Sequence, residues 1–137
     1  MTDPRLYIIV RTDMASMNAG KGMAQAAHAA NAFEFDMEAN AGELTKDMRT
    51  AWANWGASTL QGFGTTIVVA AIDEREMTEA VEQAVSLGFP AEVIHDPTYP
   101  VTDGRVTHLI PVNTCAYVFV PNPDKPPRLL ARLPLHP

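Results

Sequence analysis

An α/β fold is what this sequence predicts: a mixed, mostly parallel sheet of four to five strands flanked by helices in three α/β/α layers. Two short continuous apolar runs, residues 6–10 and 65–72, suit strands buried on both faces. Stretches with apolar residues at helical spacing lie between and after them, which fits right-handed crossovers between parallel neighbours. Late in the chain, residues 91–95, 106–110 and 116–120 are strand candidates with no helix between them, so they add an antiparallel pair at one edge.

The run Leu6-Tyr7-Ile8-Ile9-Val10 opens the sheet. Residues 13–19 form a loop, and Asn18 is placed to cap a helix over residues 20–34. Polar residues 34–42 interrupt the helical region. A second helix covers 43–55, with Leu44, Met48, Ala51, Trp52 and Trp55 on one stripe and Gly56 past its end. A third starts at Asp73, with Glu76 three residues on as in a capping box. Its stripe is Met77, Ala80, Val81, Ala84 and Val85, and Gly88 ends it. Residues 99–104 read as a turn, with Pro100 and Asp103-Gly104. The proline-rich tail reads as extended, with a short edge strand near 129–133. No internal repeat is present. The organisation is one domain over residues 1–121, with residues 122–137 as a tail packing on or extending it.

With 137 residues and 47% hydrophobic content, the chain is long enough to bury a core. No apolar run reaches the roughly 18 residues a membrane span requires, so no membrane partner is expected. Met1-Thr2-Asp3-Pro4-Arg5 lacks the basic-then-apolar order of a secretory leader. The single cysteine, Cys115, forms no intramolecular disulfide, which fits a reducing cytoplasm. Its strand-like surroundings suit core packing better than nucleophilic catalysis. The net charge of −6 argues against a broadly basic nucleic-acid surface. The acids crowd residues 33–96 and leave both ends mildly basic, so a local phosphate contact is compatible and an extended one is not.

The richest segment is Gly20-Lys21-Gly22-Met23-Ala24-Gln25-Ala26-Ala27-His28-Ala29-Ala30. Lys21, Gln25 and His28 stand at i, i+4 and i+7, so three polar groups share one face of an otherwise alanine-rich helix. A lysine beside the free N–H groups of a first turn favours an anion, such as a phosphate or a developing oxyanion. A P-loop is excluded. Ala15 stands where its first glycine belongs, and Gly22 follows Lys21 in place of Ser or Thr. The four histidines, His28, His95, His108 and His136, have no metal-ligand spacing, so no metal is expected. No G-x-S-x-G elbow occurs. Taken alone, His28 suits a hydrogen-bonded core or partly buried position better than a catalytic base. Asp96 falls at the end of the third strand, where parallel sheets place their sites, and before Pro97, where an aspartate also forms turns.

Val10-Arg11-Thr12-Asp13-Met14, followed by Gly20-Lys21-x-x-Ala24-Gln25-x-Ala27-His28-Ala29, resembles the signature of the archaeal and eukaryotic type (type II) of peptidyl-tRNA hydrolase. The likeness continues through Trp55, the strand at 65–72, the acidic helix, and Gly88-Phe89-Pro90 leading to Val93-Ile94-His95-Asp96. It covers most of residues 6–121. The family typically reads Asp-Ala-Gly-Arg-Thr-Gln after the third strand, then Pro-Gly-Ser or Pro-Gly-Thr. Here Pro97-Thr98-Tyr99-Pro100 follows Asp96, and the alignment carries an insertion of about seven residues. Counting back from Pro111 puts Thr107 and His108 in the Thr-Gln places and Asp103 in the Asp place. The residues leading into Asp96 match, which makes Asp96 the preferred carboxylate. Val112 and Asn113 stand where Gly and Ser or Thr are expected, and Cys115 replaces a Thr. The loop before Gly20 is about two residues longer than usual.

The resemblance implies a mixed sheet flanked by helices, often a homodimer, that hydrolyses the ester joining a peptide to the 3′ ribose of tRNA. Peptidyl-tRNA is then the partner, and neither cofactor nor metal is implied. Lys21 would stabilise the oxyanion or bind the terminal phosphate. Asp96 would orient or activate water, or hold Lys21 in place. An ordinary carboxylate is a poor base at neutral pH, which favours orientation. Thr107 would hydrogen-bond water or substrate. Gly20, Gln25, His28, His108 and Asn113 would line or brace the site, and Arg11 would meet a tRNA phosphate. A second reading is a non-catalytic binding protein that keeps the fold. The altered 111–115 region, the insertion and the acidic balance motivate it.

Overall fold

Alternation along the first strand sets the layers. In β1 (Arg5–Arg11), Leu6, Ile8 and Val10 face one side of the sheet and Ile9 the other, and all four are buried. The computed structural model describes residues 3–137; Met1 and Thr2, the start of the segment read above as lacking a leader, lie outside the described residues. The remaining elements are α1 (Ala19–Ala39), α2 (Lys46–Gly56), β2 (Thr66–Ala71), α3 (Glu74–Ser86), β3 (Ala91–Asp103), β4 (Val106–Val120) and α4 (Arg128–Ala131). Helices α1 and α2 cover one face of the sheet, and α3 and α4 the other. Among the described residues no helix is long and apolar enough to cross a membrane.

The fold is α/β with a four-stranded mixed sheet, in the order β2-β1-β4-β3. Only β1 and β2 run parallel, so the sheet is not mostly parallel as expected. The late strands do not form an appended edge pair. β4 enters the middle, antiparallel to β1 on one side and to β3 on the other. Its residues 114–120 are all buried, which a central place in the sheet requires.

Helix α1 runs past the expected end at residue 34. Phe33 and Met37, one turn apart, both reach the core, and Asp36 accepts a hydrogen bond from Tyr117 at 2.7 Å. Polar residues on the outer face had masked this stripe. Phe33 also centres an aromatic cluster. It stacks on Phe119 at 5.2 Å and meets Trp55 edge-on at 5.5 Å, contacts of about 1 kcal/mol each. The Trp55 indole donates to the Thr65 carbonyl at 2.8 Å. A Cβ at Gly64 would overlap both the carbonyl and the ring of Trp55, so only glycine fits there. In α3, Asp73 accepts from the Glu76 amide and Met77, Ala80, Val81 and Ala84 are buried, as the pattern implied, whereas Val85, the last of the expected stripe, is exposed.

Two further expectations are corrected. Residues 99–104 are not a separate turn: β3 continues to Asp103 and pairs with one unbroken β4, turning only at Gly104, where φ is +61°. Pro97 and Pro100 are tolerated because β3 is an edge strand, and register shifts flank Asp96. β1 pairs with β4 only as far as Cys115, so residues 95–113 form a two-stranded arm beyond it. In the tail, residues 128–131 are helical. The strand-like pairing comes later, with Leu135 bridged to Val69, Ala70 donating to the Pro134 carbonyl and His136 donating to that of Val68.

At the far end of the sheet Glu92 faces Asp36. This neighbouring carboxyl, aided by burial, pushes the Glu92 pKa up to about 7. A carboxyl whose folded pKa is raised contributes stability that is full below its unfolded value and is lost as pH rises through 7. Glu92 is largely open to water, so screening reduces the contribution to about 1 kcal/mol. Glu92→Gln is therefore expected to raise the thermal midpoint at pH 8.5 by about 3 °C and to change it little at pH 5. Melting curves at the two pH values check this; an equal shift at both removes the carboxyl pair as the cause.

Candidate active site

Asn18 begins the site by capping α1, its side chain accepting from the Lys21 amide at 2.9 Å. This fixes the first turn and directs Lys21 toward the arm. The Lys21 ammonium donates to the Pro100 carbonyl at 2.8 Å and lies 5.4 Å from the centre of the Tyr99 ring. Both anchors come from the segment read as an insertion. One of three ammonium donors is used among the described residues, which leaves two for a ligand. Tyr99 is fully buried, and its hydroxyl shares a hydrogen bond with Ser16 at 3.1 Å. The lengthened loop before α1 and the lengthened arm therefore support each other.

One turn further along α1, Gln25 is only 3% exposed. Thr114 donates to its Oε1 at 2.6 Å, and its Nε2 donates to Asp96 Oδ2 at 2.8 Å. The other carboxylate oxygen accepts from the Thr98 amide at 2.9 Å. Burial pushes the Asp96 carboxyl up, but the Gln25 and Thr98 hydrogen bonds, with the field of His28, outweigh it and hold the carboxyl below its usual value. Asp96 is thus an ionised acceptor with a fixed orientation. The turn-forming and site-forming readings of Asp96 are the same geometry, since the Thr98 bond is an Asx turn. Among the described residues Asp96 makes no ion pair with Lys21. Holding Lys21 in place falls to Pro100 and Tyr99.

The other expected site residues fall in three places. Gly20 sits in the first turn beside the Asn18 cap. His28 is exposed on the same helix face, near enough to bias Asp96. Thr107 lies near the tip of the arm, its hydroxyl sharing a 3.2 Å hydrogen bond with Thr102. Strand alternation puts Thr102 and Thr107 on the face opposite to Tyr99, so the structure does not bring Thr107 to Lys21 and Asp96. Asp103 is likewise at the tip, opposite Val106. His108 shares the Tyr99 face but lies exposed and further out, opposite Val101.

Arg11 and Asn113 form a separate cluster. Arg11 donates twice to Asp13, at 2.8 and 2.7 Å, and once to the Asn113 carbonyl at 2.9 Å, and lies 3.5 Å from Glu74. The Asn113 amide donates to Glu74, and its oxygen lies 2.9 Å from the His95 ring nitrogen. The hydrogen bond to Asp13 raises the Arg11 pKa and lowers that of Asp13. Two carboxylates already neutralise this guanidinium, so Arg11 is not free for a tRNA phosphate. Cys115 is buried, its thiol pushed up to about 11 by that burial and hydrogen-bonded to the Gln25 carbonyl, which fits packing rather than nucleophilic attack. Among the described residues no three His, Cys, Asp or Glu side chains are placed to hold a metal ion.

Sequence reasoning missed Thr98, Tyr99 and Thr114. The spacing Asp96-Pro97-Thr98 carried a signal for the first. Tyr99 and Thr114 depend on the arm and on the central place of β4, which local sequence does not encode.

A lysine with donors to spare, one helical turn from the glutamine that orients the Asp96 carboxylate, is an arrangement suited to attack of water on an acyl carbonyl. Residues 5–125 match the family model described as peptidyl-tRNA hydrolase PTH2, and the chain belongs to that family. It is also 30% identical over 92 residues to the peptidyl-tRNA hydrolase of Sulfurisphaera tokodaii (strain DSM 16993 / JCM 10545 / NBRC 100140 / 7), a match covering 67% of this chain and 69% of that protein. These likenesses favour the enzyme over the non-catalytic binding protein.

Proposed function

We propose that this chain hydrolyses the ester between peptide and tRNA at the Lys21–Asp96 corner, releasing free tRNA and peptide. Family membership supports the reaction, and the observation that carries the site is the relay Thr114–Gln25–Asp96 beside an ammonium with two free donors. Water held by Asp96 attacks the ester carbonyl. The Lys21 N–H groups meet the oxygen as its negative charge develops. Collapse of the tetrahedral species breaks the C–O bond to the ribose, and the 3′ oxygen takes up the proton that the attacking water gives up. An aspartate held below its usual pKa is a weak base, so Asp96 acts mainly by orienting the water. Gln25 and Thr98 fix Asp96.

Substrate recognition concentrates on the ester and its immediate neighbours, because the net charge is −6 and Arg11 is neutralised. The cytoplasmic setting rests on the lone buried Cys115. The homodimer is the assembly implied by the resemblance, and sedimentation tests it. Residues 1–121 act as one catalytic unit, on which the tail packs through α3 and the outer edge of β2.

Peptide release from purified N-acetyl-aminoacyl-tRNA tests the reaction. Asp96→Asn turns one acceptor into a donor facing either Gln25 or the Thr98 amide. It is expected to lower kcat about tenfold with little change in KM. Unchanged kcat removes Asp96 from the mechanism.

A further inference from the structure

The other flank of α1, away from Gln25 and Asp96, borders a cleft of about 410 Å³. It is lined by Val10 and Val68 of the sheet, Gly22, Met23 and Ala26 of α1, and Met17 of the preceding loop. The lining is mainly apolar, with Asn18 and His136 as its polar side chains and no Lys or Arg. A phosphate would find no Lys or Arg there, and the one ring open to a nucleobase is the His136 imidazole. Met23 remains 69% exposed, leaving unpartnered apolar surface at the cleft.

The cleft is continuous with the reacting corner through one side chain. Met17 lines the cleft, and its sulfur lies 3.7 Å from the Tyr99 hydroxyl. The Tyr99 ring in turn faces the Lys21 ammonium. A chain whose ester lies at Lys21 has to round only the first turn of a helix about 10 Å across to reach the cleft. Two extended residues span about 7 Å, and a large side chain covers the rest.

We propose that this cleft binds apolar side chains within the last two residues of the peptidyl group while their ester lies at Lys21. The proposal rests on the hydrolase reading. Two unbranched methionines make the cleft adaptable, so it takes aromatic and aliphatic side chains alike and disfavours glycine and charged residues.

The test uses one tRNA body carrying either N-acetyl-Phe-Phe or N-acetyl-Gly-Gly. Wild type is expected to show a KM about tenfold lower for the Phe-Phe ester. A Cβ at Gly22 meets nothing within 4 Å, so Gly22→Leu fills the cleft without a backbone clash. That variant is expected to raise KM for the Phe-Phe ester to the Gly-Gly value, keep kcat, and leave the Gly-Gly ester unchanged. Met23→Asp, an exposed change, is expected to act in the same direction with the fold retained, as checked by circular dichroism. Equal KM values in wild type, or a preference that survives both variants, overturns the proposal. Equal loss on both esters also overturns it and makes the tRNA the occupant. Release of neither peptide by wild type defeats the hydrolase reading itself.

Discussion

Lys21→Ala is expected to lower kcat/KM for N-acetyl-aminoacyl-tRNA by about 10²- to 10³-fold while shifting the thermal midpoint by under about 2 °C. The ammonium has donors to spare and stands one helical turn from the Gln25 that orients Asp96, so its removal strips stabilisation from the developing oxyanion. The fold loses little. The Asn18 cap bonds the backbone amide of residue 21, which alanine keeps, and the Pro100 carbonyl turns to water. The alternative role, binding the terminal phosphate, has a different signature. It makes the loss appear in KM and shrink as salt rises, because phosphate contacts are screened. A loss in kcat insensitive to salt supports the oxyanion role. Full activity in the variant eliminates both.

The parts of this site that lie on one continuous element could be read from sequence. Lys21, Gln25 and His28 share a helix face by spacing alone, and Asn18 capped as its residue type implies. Asp96 was found because a strand leads into it. The rest depends on contacts distant in the chain. Tyr99 sits 83 positions from Ser16 and Thr114 lies 89 from Gln25, and no local period carries such pairings. Prolines at 97 and 100 read as a turn because the edge position that makes them harmless is a property of the whole sheet. Thr107 was chosen by counting back from Pro111. That count fails where the arm adds residue pairs, since alternation then decides which face each threonine takes. The sheet order was misjudged for a related reason. β1 and residues 115–120 of β4 are both continuous apolar runs, and such runs report burial without direction. The longer loop and the longer arm, separate departures in the sequence, are joined in space at Tyr99 and so form one change around Lys21.

Gln25→Glu is expected to destabilise the protein by about 3 kcal/mol at pH 8, lowering the thermal midpoint by about 10 °C, and to abolish most activity. The change is nearly isosteric, and Thr114 still donates to one oxygen. The other oxygen takes the place of Nε2, 2.8 Å from Asp96 Oδ2. Two carboxylates at that distance in a buried site do not both ionise, so they hold one proton between them and the folded pKa of the pair rises. Stability tied to a raised carboxyl pKa is full below the unfolded value near 4 and disappears as pH rises through the folded value. The variant should therefore regain most of its midpoint at pH 5. Activity stays low there, because the shared proton occupies the acceptor that orients water. Gln25→Leu is the control. It leaves the Thr114 hydroxyl unpaired and removes the donor to Asp96, a loss of about 2 kcal/mol at either pH. Melting curves at pH 5 and pH 8 separate the two variants. If Gln25→Glu shows the same deficit at both values, Gln25 serves only to fill space, and the relay from Thr114 to Asp96 is not what sets the carboxylate.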